Sequence, residues 1–242
     1  MILYLQLKET CRNKRFILFT LIFPVLWFLF MLNLSKSSNF YSKSFTELYI
    51  ITSCLMGVSG NSVVSFAAAI GKSRKFYRLQ DKISLYSSKK YLVDQLKSQL
   101  ILNALICLVV LAAALLSNQL RFTASLGVSL LIITIMGIYL SILGYLLGIC
   151  LDTKTIQALS FPIMTVIMFL FIPFYTWLSG AFADTMTNIQ KLFPGYYLYV
   201  IMQQLFDHLN PWTSLLKFSV ILLATGFIFL VTIRIAQTKY ER

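Results

Sequence analysis

Charged side chains are scarce in this sequence, and acidic ones are the scarcest. Only 12% of its 242 residues are charged and 58% are hydrophobic, whereas soluble domains carry about 25% charged residues. Such an apolar excess needs a solvent other than water, and a bilayer supplies one, since a span takes roughly 20 consecutive apolar residues. No long polar stretch remains once such runs are removed, so we expect an all-α membrane protein with one domain over residues 1–242.

Groups that carry chemistry are also few. The single histidine is His208, and Glu47 and Asp152 stand at the ends of apolar runs rather than within them. Ion-coupled carriers need acids or histidine inside the membrane, and metal sites need clusters of such ligands. Gly71-Lys72-Ser73 matches the end of a phosphate-binding loop, but Phe66 occupies the position of its first glycine. We therefore expect no catalytic residue, no metal site and no cofactor in this chain.

The four cysteines form no C-x-x-C pair, and three of them lie inside apolar runs. They are typical of small buried hydrophobic side chains rather than of a disulfide framework. The formal net charge of +13 comes from lysines and arginines placed between apolar runs. Topology accounts for that placement better than a nucleic-acid surface does, so we expect no nucleic-acid partner.

Six membrane spans are predicted from the apolar runs. They cover residues 16–34, 47–71, 98–117, 124–151, 158–180 and 214–236. With the N-terminus in the cytoplasm, 16 of the 21 lysines and arginines fall on the cytoplasmic side. Because such residues are enriched in cytoplasmic loops, the sequence predicts a multi-pass protein of the cell membrane with both termini cytoplasmic.

Two segments outside the spans are predicted to lie at the membrane surface. Residues 2–15 place Leu3, Leu7 and Cys11 at helical spacing beside basic side chains, which favours an interfacial amphipathic helix over a frayed basic tail. The apolar piece 193–206 is too short to cross easily, and Pro194-Gly195 interrupts it. We expect it to be a re-entrant or interfacial outer segment.

Small residues recur at helical spacing in the second and fourth predicted spans. These positions are Gly57, Asn61 and Ser65 in the second span, and Gly137, Ser141, Gly144 and Gly148 in the fourth. Small residues let helix backbones approach closely in lipid. The pattern fits packing within one chain, and it also fits a subunit interface or a polar pathway.

The whole chain resembles the permease subunit of ABC-2-type transporters. The likeness rests on the basic stretch Arg12–Phe16 before a span containing Pro24, a long basic loop at 72–97, Leu178-Ser179-Gly180, and Phe193–Tyr197 before the last span. The loop departs from the family pattern, because it is basic where an acidic stretch is usual. The resemblance implies an exporter half with no ATPase of its own.

The same resemblance implies the partners. A second permease, either another copy or a homologue, and two copies of an ATPase subunit that holds ATP and Mg are expected. The loop 84–94 would form a coupling helix on that ATPase, with Tyr86, Lys89, Lys90 and Tyr91 at the contact. An alternative is that this loop only sets topology. Pro194, Tyr196 and Tyr197 would belong to the outer re-entrant segment.

The expected activity is ATP-driven export of a hydrophobic or peptide-like substrate, such as an antimicrobial peptide or a lipid-like drug. The alternative is a non-transporting membrane protein, for example an assembly factor or an immunity protein that sequesters an agent directly. An ATPase that co-purifies with the chain would favour the exporter.

Overall fold

The computed structural model describes residues 2–37, 43–72, 88–120, 122–171 and 179–241, and it is all-helical over these ranges. The α-helices are α1 (Ile2–Arg12), α2 (Lys14–Phe16), α3 (Phe23–Ser37), α4 (Lys43–Ser59), α5 (66–72), α6 (Ser88–Leu116), α7 (Ala124–Cys150), α8 (Thr153–Ala158), α9 (Ser160–Phe171), α10 (Ala181–Gln190), α11 (Pro194–Phe206) and α12 (Trp212–Glu241). Two π-helical stretches, Ile17–Ile22 and Gly60–Ser65, join α2 to α3 and α4 to α5.

Five of the described helices are long and apolar enough to cross a membrane. They are span 1 (Ile17–Ser37), span 2 (Thr46–Lys72), span 3 (Leu92–Leu116), span 4 (Ala124–Cys150) and the last span (Trp212–Ala236). The described part of the remaining predicted span is the shorter apolar helix α9, and residues 172–178, which include Pro173, lie outside the described ranges. The helices are those of a membrane protein, and the count of six stays a prediction.

The chain divides into two compact units, Met1–Ser160 and Phe161–Arg242. In the first unit span 2 is central, because α4 packs against α3, α6 and α7 while α1 lies against α6. Helix α6 begins ten residues before the predicted boundary at 98. Its early polar residues Gln95, Ser98 and Gln99 are buried, so contact with the rest of the unit, rather than lipid, covers this end of the helix.

Neither π-helical stretch was predicted from the sequence. Proline lacks a backbone N–H, so Pro24 cannot donate to the carbonyl of Thr20 as an α-helix would require. One position earlier, the Phe23 N–H donates to Leu18 O, five residues back. The Phe66 N–H likewise donates to Asn61 O. These wider turns are frequent at functional sites, and the two stretches contact each other.

In the second unit, α11 packs on α12. Pro194 is the first residue of α11, where its missing N–H costs no helical hydrogen bond. The expectation that Pro194-Gly195 interrupts the apolar piece 193–206 is therefore wrong, since the pair begins a continuous helix. Gly195 is buried and lies directly under the Phe171 ring, because a methyl group there would overlap it.

Cysteine placement also differs in part from the expectation. Cys54 is buried and Cys107 is half-buried, as small apolar side chains would be, but Cys11 and Cys150 are exposed. All four have free thiols. Cys11 lies on the surface helix α1, and Cys150 is the last residue of α7.

Candidate functional site: a buried polar cluster among spans 2, 3 and 4

A cluster of neutral polar side chains is buried inside the first unit. Asn61 and Ser62 come from span 2 and Asn103 from span 3. Asn61 Nδ2 donates to Asn103 Oδ1 at 2.7 Å, and Asn103 Nδ2 donates to Ser62 Oγ at 3.0 Å. Both span 2 residues have no exposed surface and Asn103 is 4% exposed. Neither lipid nor water covers these groups, so they satisfy one another.

The π-helical stretch Gly60–Ser65 presents this cluster. Asn61 and Ser62 are adjacent in sequence, and adjacent residues of an α-helix point about 100° apart. In the wider turn both side chains reach the same Asn103 amide. Asn61 Oδ1 is buried and accepts no hydrogen bond within the described ranges. The site therefore has one acceptor in excess.

Span 4 closes the cluster with glycines. A methyl group on Gly137 would lie 2.6 Å from Asn103 Nδ2, and one on Gly144 would lie 2.3 Å from the backbone oxygen of Ser62. One on Gly148 would lie 2.8 Å from Ala67 O. At Gly144 and Gly148 the close atoms are backbone oxygens, so a larger side chain there requires backbone movement, whereas at Gly137 the Asn103 side chain would have to move. Span 4 therefore approaches the backbone of span 2 along one face.

The other predicted small residues lie on the same two spans. Gly57 faces span 1 and span 3, because a methyl group there would lie 3.0 Å from Pro24 Cγ and 2.5 Å from Ile106 Cγ2. Ser141 is buried and donates to the Gly137 carbonyl at 2.7 Å. Ser65 is half-buried. These contacts describe packing within the chain, and a polar pathway or a subunit interface at these residues stays a prediction.

A buried carboxylate ties the start of span 2 to the start of span 4, away from the polar cluster. Glu47 is 6% exposed and accepts hydrogen bonds from the hydroxyls of Thr123 and Ser125, at 3.2 Å to its Oε2 atom in each case. Thr123 also caps α7, since its Oγ1 accepts from Leu126 N at 3.2 Å. Thr123 therefore joins the first turn of α7 to the start of span 2.

The opposite ends of spans 2 and 3 contact the surface helix α1. Lys72 pairs with Glu9, and Ser98 Oγ donates to Gln6 Oε1 at 3.0 Å.

At the end of span 4, the Thr155 hydroxyl donates to the Asp152 carboxylate and lowers the pKa of that group below its ordinary value. Asp152 therefore stays ionised at neutral pH beside the first turn of α8.

The predicted coupling residues are only partly described. Tyr86 lies outside the described residues, as does the loop 73–87 that contains it. Lys89, Lys90 and Tyr91 form the first turn of α6, with their side chains outside the described set. Residues 88–94 are thus continuous with span 3, so a displacement of this turn would be transmitted directly along α6.

The outer-segment residues all belong to α11. Pro194 is buried, and Tyr196 and Tyr197 are half-buried with their rings edge to face at 5.1 Å. Leu198, Ile201 and Met202 share the buried side of this helix. The helix is amphipathic, which suits an interfacial position, and its re-entrant path stays a prediction.

Sequence reasoning missed Ser62, Asn103 and Glu47 as parts of these sites. Asn103 follows Gln95 and Gln99 at intervals of four residues, so the three lie on one buried face of α6, but this polar repeat was not recognised. Glu47 was noted only as a residue at the end of a span.

Within the described ranges no three histidine, cysteine or acidic side chains are grouped to hold a metal ion. The arrangement favours fixing helices against one another rather than acid–base chemistry.

Comparison with known proteins gives no assignment: no family model, no curated protein and no solved structure matches this chain.

Proposed function

We propose that this chain is the permease subunit of an ATP-driven ABC-2-type exporter in the cell membrane. It would move a hydrophobic or peptide-like substrate outward, with a second permease and two copies of a separate ATPase that holds ATP and Mg. Six spans, with the fifth at 158–180, would place both termini in the cytoplasm. In this arrangement α11 enters the membrane from outside and returns.

The observation that carries this proposal is the contact of α1 with the start of α6. A surface helix precedes span 1 and bonds through Gln6 to Ser98, while Glu9 pairs with the end of span 2 at Lys72. In the proposed topology these are the cytoplasmic ends of the spans, and the contacts lie beside the predicted ATPase-binding loop. A push on the first turn of α6 would reach spans 2 and 3 together.

The polar cluster supports the same proposal as a link between the moving helices. Asn61, Ser62 and Asn103 connect spans 2 and 3 within the apolar interior. Neutral hydrogen bonds in a membrane contribute about 0.6 kcal/mol each on average. Bonds of this strength hold a resting arrangement and can exchange during a transport cycle, whereas an ion pair buried there would resist rearrangement.

Co-purification with the ATPase tests the coupling. The chain is purified from its native membranes as wild type, as the double variant Tyr86→Ala/Tyr91→Ala, and as the control Tyr4→Ala, which removes an exposed tyrosine of α1. If the two loop tyrosines are interface hot spots, their loss costs about 2 kcal/mol or more, so affinity for the ATPase should fall roughly thirtyfold and ATPase recovery should drop in the double variant alone.

Equal recovery in all three proteins would make the loop a topology signal only. If wild type carries no ATPase at all, the exporter is wrong, and a protein that sequesters an agent directly takes its place. Orientation is tested separately by cysteine labelling at Ser38 and Ser73. Labelling from outside at position 38 and protection at position 73 are expected, and the reverse would overturn the topology.

A further inference from the structure

A basic cavity opens on the surface of α1. It measures about 650 Å³ and is lined by Lys8, Glu9, Arg12 and Asn13. Lys8 and Arg12 are four residues apart, so they lie on the same face of the helix, and both are exposed. The cavity therefore presents an ammonium and a guanidinium group side by side.

Among the described residues that line this cavity, the acidic residue is Glu9, and its charge is neutralised by a neighbouring helix. Glu9 Oε1 accepts a hydrogen bond from Lys72 Nζ at the end of span 2. Within the described ranges Lys8 and Arg12 form no ion pair of their own. The cavity therefore keeps a net positive charge once Lys72 is counted against Glu9. Lys8 and Arg12 are not engaged by a described carboxylate, so both can bind an anion.

The cavity lies next to the ends of two spans. Span 1 begins at Ile17, a few residues after Arg12, and span 2 ends at Lys72, the partner of Glu9. The hydrogen bond from Ser98 to Gln6 fixes α1 against α6. The two basic side chains thus stand where apolar helix gives way to charged chain, held by contacts to two spans rather than on a loose tail.

We propose that Lys8 and Arg12 bind the phosphate of an anionic phospholipid headgroup. A guanidinium donates two parallel hydrogen bonds to phosphate oxygens, and an ammonium adds a compact charge. Basic pockets beside membrane helices on the cytoplasmic side are suited to acidic headgroups. The acyl chains would extend along span 1, whose side chains Leu18, Phe19 and Ile22 are exposed. This inference requires no ATPase and is independent of the proposed transport function.

Native mass spectrometry of the full chain tests the site. Wild type, Lys8→Gln/Arg12→Gln and the control Lys36→Gln/Lys217→Gln are purified in detergent and titrated with phosphatidylglycerol and with phosphatidylcholine. The control removes the same charge from exposed positions elsewhere. Each basic residue near an anionic surface contributes about 1 kcal/mol, so affinity for phosphatidylglycerol is expected to fall roughly thirtyfold in the first variant and to stay near wild type in the control.

A charge-conserving exchange, Lys8→Arg/Arg12→Lys, guards against a folding defect and should retain most of the binding. Equal loss of phosphatidylglycerol in both glutamine variants, or no loss in either, would overturn the proposal. Glycerol phosphate added in solution distinguishes the two sources of phosphate. If glycerol phosphate binds as tightly as phosphatidylglycerol, the acyl chains contribute nothing, the site recognises a free phosphate and the lipid assignment is wrong; much tighter binding of the lipid supports it.

Discussion

Span 2 and the last span are alike in length but opposite in exposure. Burial reaches 61% of the most apolar 18-residue stretch in span 2 and 17% of that in the last span. The more buried span is the less apolar of the two. In water the more apolar helix would be the more buried one. In lipid the apolar helix is already solvated by acyl chains, whereas the more polar helix needs protein around it.

The residues of the two spans show the same contrast. In span 2, Ser53, Ser59 and Asn61 have no exposed surface. In the last span, Leu223 and Phe227 are 69% and 68% exposed. The comparison indicates that span 2 owes its position to contacts inside the chain, whereas the last span presents its apolar side chains outward.

Truncation of one aliphatic side chain in each span should give the largest difference. Ile50→Ala removes a side chain with no exposed surface in span 2 and should destabilise the protein by about 2–5 kcal/mol, because a cavity remains. Leu223→Ala in the last span should change stability by less than about 0.5 kcal/mol. Thermal unfolding in detergent, followed by size-exclusion chromatography, measures both. A large loss for Leu223→Ala would show that another protein chain covers this face.

Glycine substitution in span 4 tests the backbone contact that buries span 2. Gly144→Ala places a methyl group 2.3 Å from Ser62 O, so the helices must separate at a cost of about 1–3 kcal/mol. Gly127 lies in the same helix with nothing within 4 Å of the added atom, so Gly127→Ala should be neutral or slightly stabilising. Melting temperatures that fall equally in both variants would contradict close packing at Gly144.

Removal of the shared amide tests the polar cluster. Asn103→Leu leaves Asn61 and Ser62 buried without their partner, at a cost of about 1–2 kcal/mol. The triple variant Asn61→Leu/Ser62→Ala/Asn103→Leu also removes the stranded groups and should recover part of the loss. The three substitutions are also made one at a time. If the triple variant loses as much stability as the three single variants together, the three side chains are not coupled.

The smallest effect is expected at the Glu47 contact. Thr123→Ala removes both the cap of α7 and a donor to the carboxylate, and should cost about 0.5–2 kcal/mol. Thr123→Ser keeps the hydroxyl and should remain within a few tenths of a kcal/mol of wild type. The difference in unfolding temperature between these two variants isolates the hydrogen bonds from the lost methyl group, and equal values would contradict the contact.

The helices themselves were largely predictable, because lipid imposes a length and a composition on each span. Span 4 was expected at 124–151 and is found at Ala124–Cys150. The start of α6 was not, since Asp94, Gln95 and Lys97 before the predicted boundary at 98 look like solvated loop residues, yet Gln95 is buried. Hydropathy cannot distinguish a polar residue in water from one covered by another helix.

The candidate site was half predictable for a related reason. Gly137, Gly144 and Gly148 repeat along one face, so the periodic pattern indicated a close approach by another helix. Asn103 repeats with Gln95 and Gln99 at four-residue spacing, which indicates a covered polar face of α6 but does not identify its partner. The turn that presents Asn61 and Ser62 gives no repeat, because hydrogen bonds between helices depend on how the spans meet in space. Periodicity within one helix carries no information about its partner.

The π-helical stretch Gly60–Ser65 has a consequence for chain length. Such a stretch holds one residue more than the α-helix it replaces, while the helix on either side keeps its facing. Deleting a single residue inside it should leave both Gly57 and Ala67 against their present neighbours. The same deletion within α4 would turn every later residue of span 2 by about 100°. Span 2 thus contains one place where its length can change without altering which of its sides meets lipid.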